Sequence, residues 1–154
     1  MLEALSVKDI MTKEVVSVSP ETSVFEAHKI ISSHYFNGVP VVDSENKLVG
    51  IITEYDLLAQ GSSIEGFFNE TWEDKETYER FREAMEKLKK TKVAEIMNKE
   101  PITLFEDASA QETVKAFVEH HRVNPIPVVD KEKKVIGVVS RYDALMLFYV
   151  SPQG

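Results

Sequence analysis

Hydrophobic and polar positions follow two spacings along the chain, and each spacing occurs twice. Apolar residues at steps of three and four run through residues 22–35 and again through residues 108–121, which predicts two helices. A short β-prone run precedes each helix, at residues 15–18 and 101–104, and two apolar runs separated by a polar turn follow it. A Thr/Ser-x-x-Asp sequence then opens a closing helix. Each half therefore predicts the order strand, helix, strand, strand, helix.

The order occurs twice because the sequence itself repeats. Residues 7–18 align with residues 93–104, and half of the positions in 37–56 are identical to those in 124–143. A repeated unit of this kind buries a shared core only when the copies pack together. We therefore expect a first repeat at residues 1–60, a connector at 61–92 and a second repeat at 93–154.

The connector contains a charged helix, predicted at residues 74–90, with a single apolar stripe. The stripe consists of Tyr78, Phe81, Met85 and Leu88. Such a stripe usually contacts a core, which makes the segment a packed connector. The alternative is a docking surface for a partner, formed by the helix and three preceding aromatic residues. Those residues are Phe67, Phe68 and Trp72.

Composition narrows the class of protein. The 154 residues are 43% hydrophobic and 29% charged, which is typical of a globular protein, and no apolar run approaches the roughly 20 residues of a membrane span. The absence of cysteine excludes disulfides and favours a cytoplasmic location. A net charge of −8 argues against nucleic-acid binding, although a local cluster of cations is still able to hold a small phosphorylated ligand.

The sequence lacks the common motifs of catalysis. It contains no Gly-rich phosphate loop, no nucleophile elbow and no His/Cys/Glu spacing typical of a zinc site. We therefore expect a binding protein and not an enzyme.

Three motifs occur in the same order in both repeats: IM-x-K-E, PVVD and G-[IV]-[IV]-[TS]-x-Y-D. Together they resemble a pair of cystathionine-β-synthase (CBS) domains, the unit called a Bateman module, over about residues 7–60 and 93–150. The resemblance implies an α/β (α+β) fold. Two β-α-β-β-α repeats would pack about a pseudo-twofold axis, with a helical connector. Such pairs commonly form homodimeric discs, so the apolar residues 145–150 either pack at that interface or lie buried within the monomer.

The resemblance also implies two related clefts between the repeats, which bind adenosine-containing ligands. We expect AMP, ADP or ATP as a regulatory ligand, with no obligatory cofactor; S-adenosylmethionine is an alternative. In the first cleft Asp56 matches the ribose-binding position, Thr53 the phosphate hydroxyl and Ile51 the adenine wall. The matching residues of the second cleft are Asp143, Ser140 and Val138.

Each cleft is also expected to borrow the start of the opposite repeat. The borrowed residues are Met11, Thr12 and Val16 in the second cleft, and Met97, Asn98 and Ile102 in the first. Two further pairs lead into the strand that approaches the ligand: Asn37 with Gly38, and Asn124 with Pro125. The alternative for both late aspartates is that they serve only to cap a helix.

Two charge differences distinguish the repeats. Arg122 and Arg141 of the second repeat align with Tyr35 and Glu54 of the first. A hydrogen bond from arginine to phosphate contributes roughly 1.5–3 kcal/mol, so we predict that the cleft of the second repeat binds nucleotide better. The first cleft would then be empty or accept a less charged adenosine compound. Arg122 is out of register with the His-Arg pair of some family members, and its alternative role is a solvated charge at a helix end.

The sequence therefore predicts a cytoplasmic, homodimeric module that senses adenosine nucleotides and signals to an unknown, separate protein. The alternative is a structural or partner-binding module whose clefts are vestigial. Neither nucleic acid nor a membrane is expected as a partner.

Overall fold

The computed structural model describes residues 5–61, 66 and 74–149. The helices are α1 (Val24–His34), α2 (Glu54–Gly61), α3 (Lys75–Lys90), α4 (Val93–Ile96), α5 (Ala110–Glu119) and α6 (Arg141–Tyr149), preceded by a 3-10 helix at Val7–Asp9. The strands are β1 (Gly38–Val42), β2 (Leu48–Thr53), β3 (Leu104–Phe105), β4 (Ile126–Val129) and β5 (Val135–Val139). This mixed α and β architecture confirms the predicted fold class.

Serine side chains fix where the two longer repeat helices begin. Ser23 accepts a hydrogen bond from the Glu26 backbone N–H at 3.1 Å, and Ser109 does the same for Glu112. Each bond satisfies one of the free N–H groups at a helix start. α5 ends at Glu119, two residues before the end of the predicted helix. The residues up to Arg122 therefore form an irregular segment that leads into β4.

Each repeat contains an antiparallel hairpin, β1 with β2 and β4 with β5. The strand predicted at residues 15–18 is wrong: only Val18 forms a bridge, to Val41, because the chain turns at Ser19–Thr22, where the Thr22 N–H donates to the Ser19 carbonyl. In the second repeat, the strand parallel to β4 begins only at the last residue of the predicted run, Leu104.

The first segment of each repeat packs into the core of the other. Val7 is fully buried in the second repeat's core, and Val93 is fully buried in the first. Backbone hydrogen bonds fix both exchanges: the Val7 N–H donates to the Ala108 carbonyl, and the Val93 N–H donates to the Thr22 carbonyl, each at 2.8 Å. The two halves of the fold are therefore interlocked, and each half is completed by residues from the other repeat.

The connector helix α3 packs on the first half. Its apolar residues Phe81, Met85 and Leu88 are half-buried, and α3 contacts α1. Leu88 lines a small cavity together with Val24 of α1 and Leu57 of α2. These contacts favour the packed-connector interpretation for the helix, whereas Phe67, Phe68 and Trp72 lie outside the described residues. None of the described helices combines the length and the apolar character needed to cross a membrane.

Candidate functional site: two clefts between the repeats

The first cleft lies where β2 and α2 of the first repeat face the chain that leads into β4. It has a volume of about 570 Å³. Its lining residues are Ile51, Thr53, Glu54, Tyr55, Asp56, Asn98, Pro101, Ile102, His121, Arg122, Val123, Asn124, Pro125 and Arg141. The volume lies within the range of about 300–1,000 Å³ that is usual for sites of small ligands.

Asp56 and Thr53 form a capping arrangement at the start of α2. The Asp56 Oδ2 atom accepts hydrogen bonds from the Thr53 backbone N–H at 2.9 Å and from the Thr53 hydroxyl at 3.1 Å. Asp56 therefore caps the start of α2, as the alternative interpretation predicted. Both bonds use Oδ2, so Oδ1 retains acceptor capacity toward a ligand in the cleft.

Arg141 reaches the first cleft from the second repeat. Its Nη2 atom donates to the backbone carbonyls of His121 and Val123, and its backbone N–H donates to the Asn124 side-chain oxygen at 3.2 Å. A guanidinium has five N–H donors, so these bonds leave others for a ligand. The carbonyls hold the positive charge at the cleft without neutralising it.

Arg122 is the second cation of the first cleft, and its side chain is exposed. Within the part of the chain that the structure describes, neither Arg122 nor Arg141 forms an ion pair with a carboxylate. Arginines without a carboxylate partner are chemically suited to an anion, since the planar guanidinium matches the geometry of phosphate or carboxylate.

The expectation that these arginines strengthen the second cleft is wrong. The chain after α5 lies beside the first repeat, so that Arg122 and Arg141 line the cleft of Thr53 and Asp56 and not that of Ser140 and Asp143. The sequence alignment identified the charge difference correctly. It assigned the difference to the wrong cleft, because the segment before β4, which belongs to the second repeat, lines the first cleft.

The second cleft is the pseudo-symmetric counterpart and is smaller, at about 240 Å³. Its lining residues are Thr12, Glu14, Val16, Tyr35, Phe36, Asn37, Gly38, Val39, Pro40, Asn124, Pro125, Val138, Ser140, Tyr142 and Asp143. Asp143 repeats the capping arrangement, since its Oδ2 atom accepts from the Ser140 N–H at 2.7 Å and from the Ser140 hydroxyl at 2.9 Å.

Backbone bridges bring the borrowed segments to the two clefts. The Thr12 N–H donates to the Val138 carbonyl at 2.8 Å, and the Asn98 N–H donates to the Ile51 carbonyl at 2.9 Å. Val16 and Ile102 also line the expected clefts. Every predicted site residue but the two methionines thus lines one cleft or both.

Met11 and Met97 do not line the clefts; they pack against glycines of the hairpins. A Cβ atom on Gly50 would lie 2.7 Å from the Met97 sulfur, and one on Gly137 would collide with the Met11 sulfur. Methionine fills such gaps well because its side chain is flexible. The two methionines are therefore not part of the lining where they were expected, and a ligand-binding role for them stays a prediction.

The described residues contain no group of three or more His, Cys, Asp or Glu side chains that could hold a metal ion. The polar groups that line the clefts are hydroxyls, carboxylates, asparagine amides, the two arginines and His121, which are suited to an organic ligand.

Two segments of the chain match the same protein family. The sequence profile of the CBS domain matches residues 7–62 and 93–149. The chain belongs to the CBS domain family.

Curated CBS relatives differ widely in length. A CBS domain-containing protein of Dictyostelium discoideum is 34% identical over 141 residues, covering 92% of this chain and 89% of that protein. Inosine-5′-monophosphate dehydrogenase of Methanocaldococcus jannaschii is 32% identical, and the match covers 89% of this chain but 22% of that enzyme. L-aspartate semialdehyde sulfurtransferase of the same organism is also 32% identical, with 92% and 23% covered. This chain thus spans less than a quarter of each of the two enzymes.

Solved CBS pairs have the same fold. The CBS domain pair of protein MJ0100, in complex with 5′-methylthioadenosine and S-adenosyl-L-methionine, has a TM-score of 0.70 and 29% identity, covering 93% of this chain and 94% of that chain. CBSX2 in complex with AMP has a TM-score of 0.71, with 92% of this chain and 94% of that chain covered. Its identity is 24%, so this likeness concerns the fold alone.

Several residues of the CBS clefts were not predicted as ligand-binding residues. In the first cleft these are Glu54, Tyr55, Pro101, His121 and Val123, and in the second Glu14, Tyr35, Phe36, Val39, Pro40 and Tyr142. Four of these eleven residues come from the segments before β1 and β4. The repeat alignment could have predicted some of them, because it pairs residues 35–38 with 122–125. A residue that lines one cleft therefore indicates that its counterpart lines the other cleft.

Proposed function

We propose that this CBS pair is a regulatory module that binds an adenosine phosphate in its first cleft. One observation carries the proposal: Arg122 and Arg141 line the same cleft as the Thr53–Asp56 pair, and neither arginine has a carboxylate partner among the described residues. The ligand would be AMP, ADP or ATP, bound reversibly, and no catalytic step is proposed.

Each part of the ligand has a complementary group in the cleft. The guanidinium groups of Arg122 and Arg141 would donate charge-assisted hydrogen bonds to phosphate. The Oδ1 atom of Asp56 would accept from the ribose hydroxyls, and Ile51 and Ile102 would contact the adenine. The complex of the MJ0100 pair with two adenosine compounds supports adenosine as the common element of the ligand.

Isothermal titration of the full chain with AMP, ADP, ATP and adenosine tests the proposal. Arg122→Gln and Arg141→Gln should each weaken binding of the preferred nucleotide about tenfold or more, because each removes a charge-assisted bond of roughly 1.5–3 kcal/mol. Arg82→Gln is the matched control, since Arg82 is an exposed residue of α3 outside both clefts. Nucleotide affinities that are the same in all three variants would refute the proposal.

We further propose that the module is a homodimer. Val118 of α5 is 73% exposed and Phe148 of α6 is 56% exposed, and both line an apolar groove of about 610 Å³. On the first half, α3 packs against α1, but no helix of the described segments covers α5 and α6 in the same way. A second copy would cover this face. Analytical ultracentrifugation of Phe148→Ser should then show monomer where the wild type shows dimer.

The regulated protein would be a separate chain in the cytoplasm that recognises the liganded state. A ligand shifts such an equilibrium only through different affinities for two conformations. The alternative function, a structural module, is favoured by the helix-capping bonds of Asp56 and Asp143. The two functions differ in one measurable respect: capture of a partner would depend on added nucleotide only in the regulatory module.

A further inference from the structure

The apolar groove between α5 and α6 has a counterpart on the first half, between α1 and α2. Ser23 and Ser109 cap α1 and α5 at equivalent positions, 86 residues apart, and the residues that follow them line equivalent cavities. The matching pairs are Val24 with Ala110, Phe25 with Gln111 and His28 with Val114. The two cavities differ in volume, which is about 610 Å³ on the second half and about 150 Å³ on the first.

Helix α3 accounts for this difference. Leu88 of α3 is half-buried and lines the small cavity of the first half beside Val24 and Leu57. The Val24 backbone N–H donates a hydrogen bond of 3.0 Å to the carbonyl of Thr91, the C-cap of α3, which fixes the end of α3 against the start of α1. Within the described residues, the groove of the second half is lined only from α5, its N-cap and α6. The fold therefore shows that a groove of this kind accepts an apolar side chain from a packed helix.

The second half is apolar at positions where the first half is polar or small. Val118 of α5 is 73% exposed and corresponds to Ser32 of α1. Three consecutive residues of α6 differ from those of α2 in the same sense. The pairs are Met146 with Ala59, Leu147 with Gln60, and Phe148 with Gly61. A helix that is apolar on all sides is usually buried on all sides, so α6 is suited to a further contact that α2 is not.

Four apolar side chains on the outward side of α6 form one exposed patch, called here the α6 patch. Their exposed fractions are 46% for Leu145, 57% for Met146, 56% for Phe148 and 79% for Tyr149. At about 150–250 Å² for a whole aromatic side chain, the exposed parts of Phe148 and Tyr149 alone amount to roughly 200–350 Å². Leu145 and Met146 bring the patch into the range of roughly 300–600 Å² in which the largest apolar patch of a monomer often has a function.

Charge and symmetry favour a second copy of the chain as the occupant. Each chain has a net charge of −8, so two copies repel each other over most of their surfaces. The ionisable residues that line the groove are Lys115 and Glu119, which form an ion pair at 3.7 Å, and the α6 patch carries no charge. Patch and groove also share α6. A twofold axis beside this helix would therefore place the patch of each chain in the groove of the other, and the contact would be made twice.

We infer that two copies of the chain pack through α5 and α6 alone, with the α6 patch of each chain seated in the groove of the other. This inference rests on the homodimer proposed above and deepens it. On the first half, α3 occupies the equivalent face, so the first halves stay outside the interface and lie at the two far ends of the dimer. The assembly therefore differs from a disc, which would need contacts from both halves of each chain.

Crosslinking through single cysteines tests this inference, because the chain has no cysteine of its own. Leu145 is the central residue of α6, and Leu58, 72% exposed, is its counterpart in α2, 87 positions earlier. Where two α6 helices pack about a twofold axis, their central residues face each other. A short bismaleimide should therefore convert most of Leu145→Cys to a covalent dimer on a denaturing gel and leave Leu58→Cys monomeric. Addition of Phe148→Ser to Leu145→Cys should abolish the crosslink.

The outcomes separate this inference from the proposals on which it rests. Crosslinking of Leu58→Cys as extensive as that of Leu145→Cys would overturn the inference, because both halves would then lie at the interface. If ultracentrifugation shows a dimer but neither cysteine crosslinks, or if Phe148→Ser leaves the crosslink intact, the copies meet elsewhere; the inference then fails and the homodimer stands. A monomeric wild type would contradict both. Nucleotide binding is decided separately, by titration of the arginine variants.

Discussion

The Asn124 side-chain N–H donates a hydrogen bond of 2.9 Å to the side-chain oxygen of Asn37, its counterpart 87 positions earlier in the chain. Asn124 also accepts from the Arg141 backbone N–H. Asn37 lines the second cleft, Arg141 lines the first, and Asn124 lines both. A short chain of hydrogen bonds therefore connects the two clefts across the pseudo-twofold axis.

Loss of the asparagine pair should weaken nucleotide binding in the first cleft. Asn37→Ala removes the acceptor for Asn124 and frees the side chain that positions Arg141. A neutral hydrogen bond contributes roughly 0.5–1.5 kcal/mol, so we expect the AMP dissociation constant to rise about two- to twelvefold. Isothermal titration measures this change, with Ser33→Ala on α1 as a control outside both clefts. Equal affinities for Asn37→Ala and the wild type would show that the pair does not position Arg141.

AMP binding in the first cleft should depend strongly on salt. Arg122 is exposed, so its attraction to phosphate is screened as the Debye length falls from about 10 Å at 0.1 M to about 3 Å at 1 M. We expect the AMP dissociation constant to rise with added salt in the wild type and to rise less steeply in Arg122→Gln. An AMP affinity that is independent of salt would argue that the phosphate lies away from the arginines.

The exchanged first segments should be essential to stability. Val7 and Val93 are fully buried, each in the core of the opposite repeat. Val7→Ala and Val93→Ala each remove buried methyl groups, and we expect each to lower the free energy of unfolding by about 2 kcal/mol. Denaturant titration measures the loss. Leu58→Ala, at a position of α2 that is 72% exposed and outside the proposed dimer groove, should change stability by less than about 0.5 kcal/mol. A loss at Val7 as small as at Leu58 would contradict the exchange.

The start of α5 should be sensitive to acid. The Ser109 backbone N–H donates to the Glu112 carboxylate at 2.7 Å, and this bond, with a further one from the Ser109 side chain, holds the pKa of Glu112 below its ordinary value. Because the folded state favours the carboxylate, its contribution to stability is complete above the unfolded-state pKa. It is lost as the pH falls through the folded-state pKa.

An NMR titration of Glu112 checks the direction of this shift. We expect its pKa to lie below the ordinary value in the wild type and to move part of the way back in Ser109→Ala, which removes the side-chain bond only. The variant Glu112→Gln should lose less stability than the wild type on acidification. A Glu112 pKa that is unchanged by Ser109→Ala would show that the serine side chain does not contribute.

Much of the fold could be predicted because it depends on local patterns. The apolar spacing of residues 22–35 and 108–121 predicts α1 and α5 to within two residues at each end. The Thr53–Asp56 and Ser140–Asp143 hydrogen bonds likewise follow from spacing within a single turn. The short first strands were less predictable, because whether they form depends on the turn that follows them.

Local patterns could not predict which cleft holds the two arginines. Arg122 and Arg141 belong to the second repeat in sequence but line the same cleft as Thr53 of the first. Their position depends on how the chain after α5 crosses between the repeats, which is a non-local feature that leaves no periodic signal. The same reason explains Met11, whose place beside Gly137 is set by the pairing of Thr12 with Val138.

A crystal structure of the chain with AMP tests the central claim most directly. We expect the phosphate within hydrogen-bonding distance of Arg122 and Arg141, and the ribose hydroxyls beside Asp56. A phosphate bound beside Asp143 and Glu14, with both guanidinium groups turned away from the nucleotide, would contradict the account.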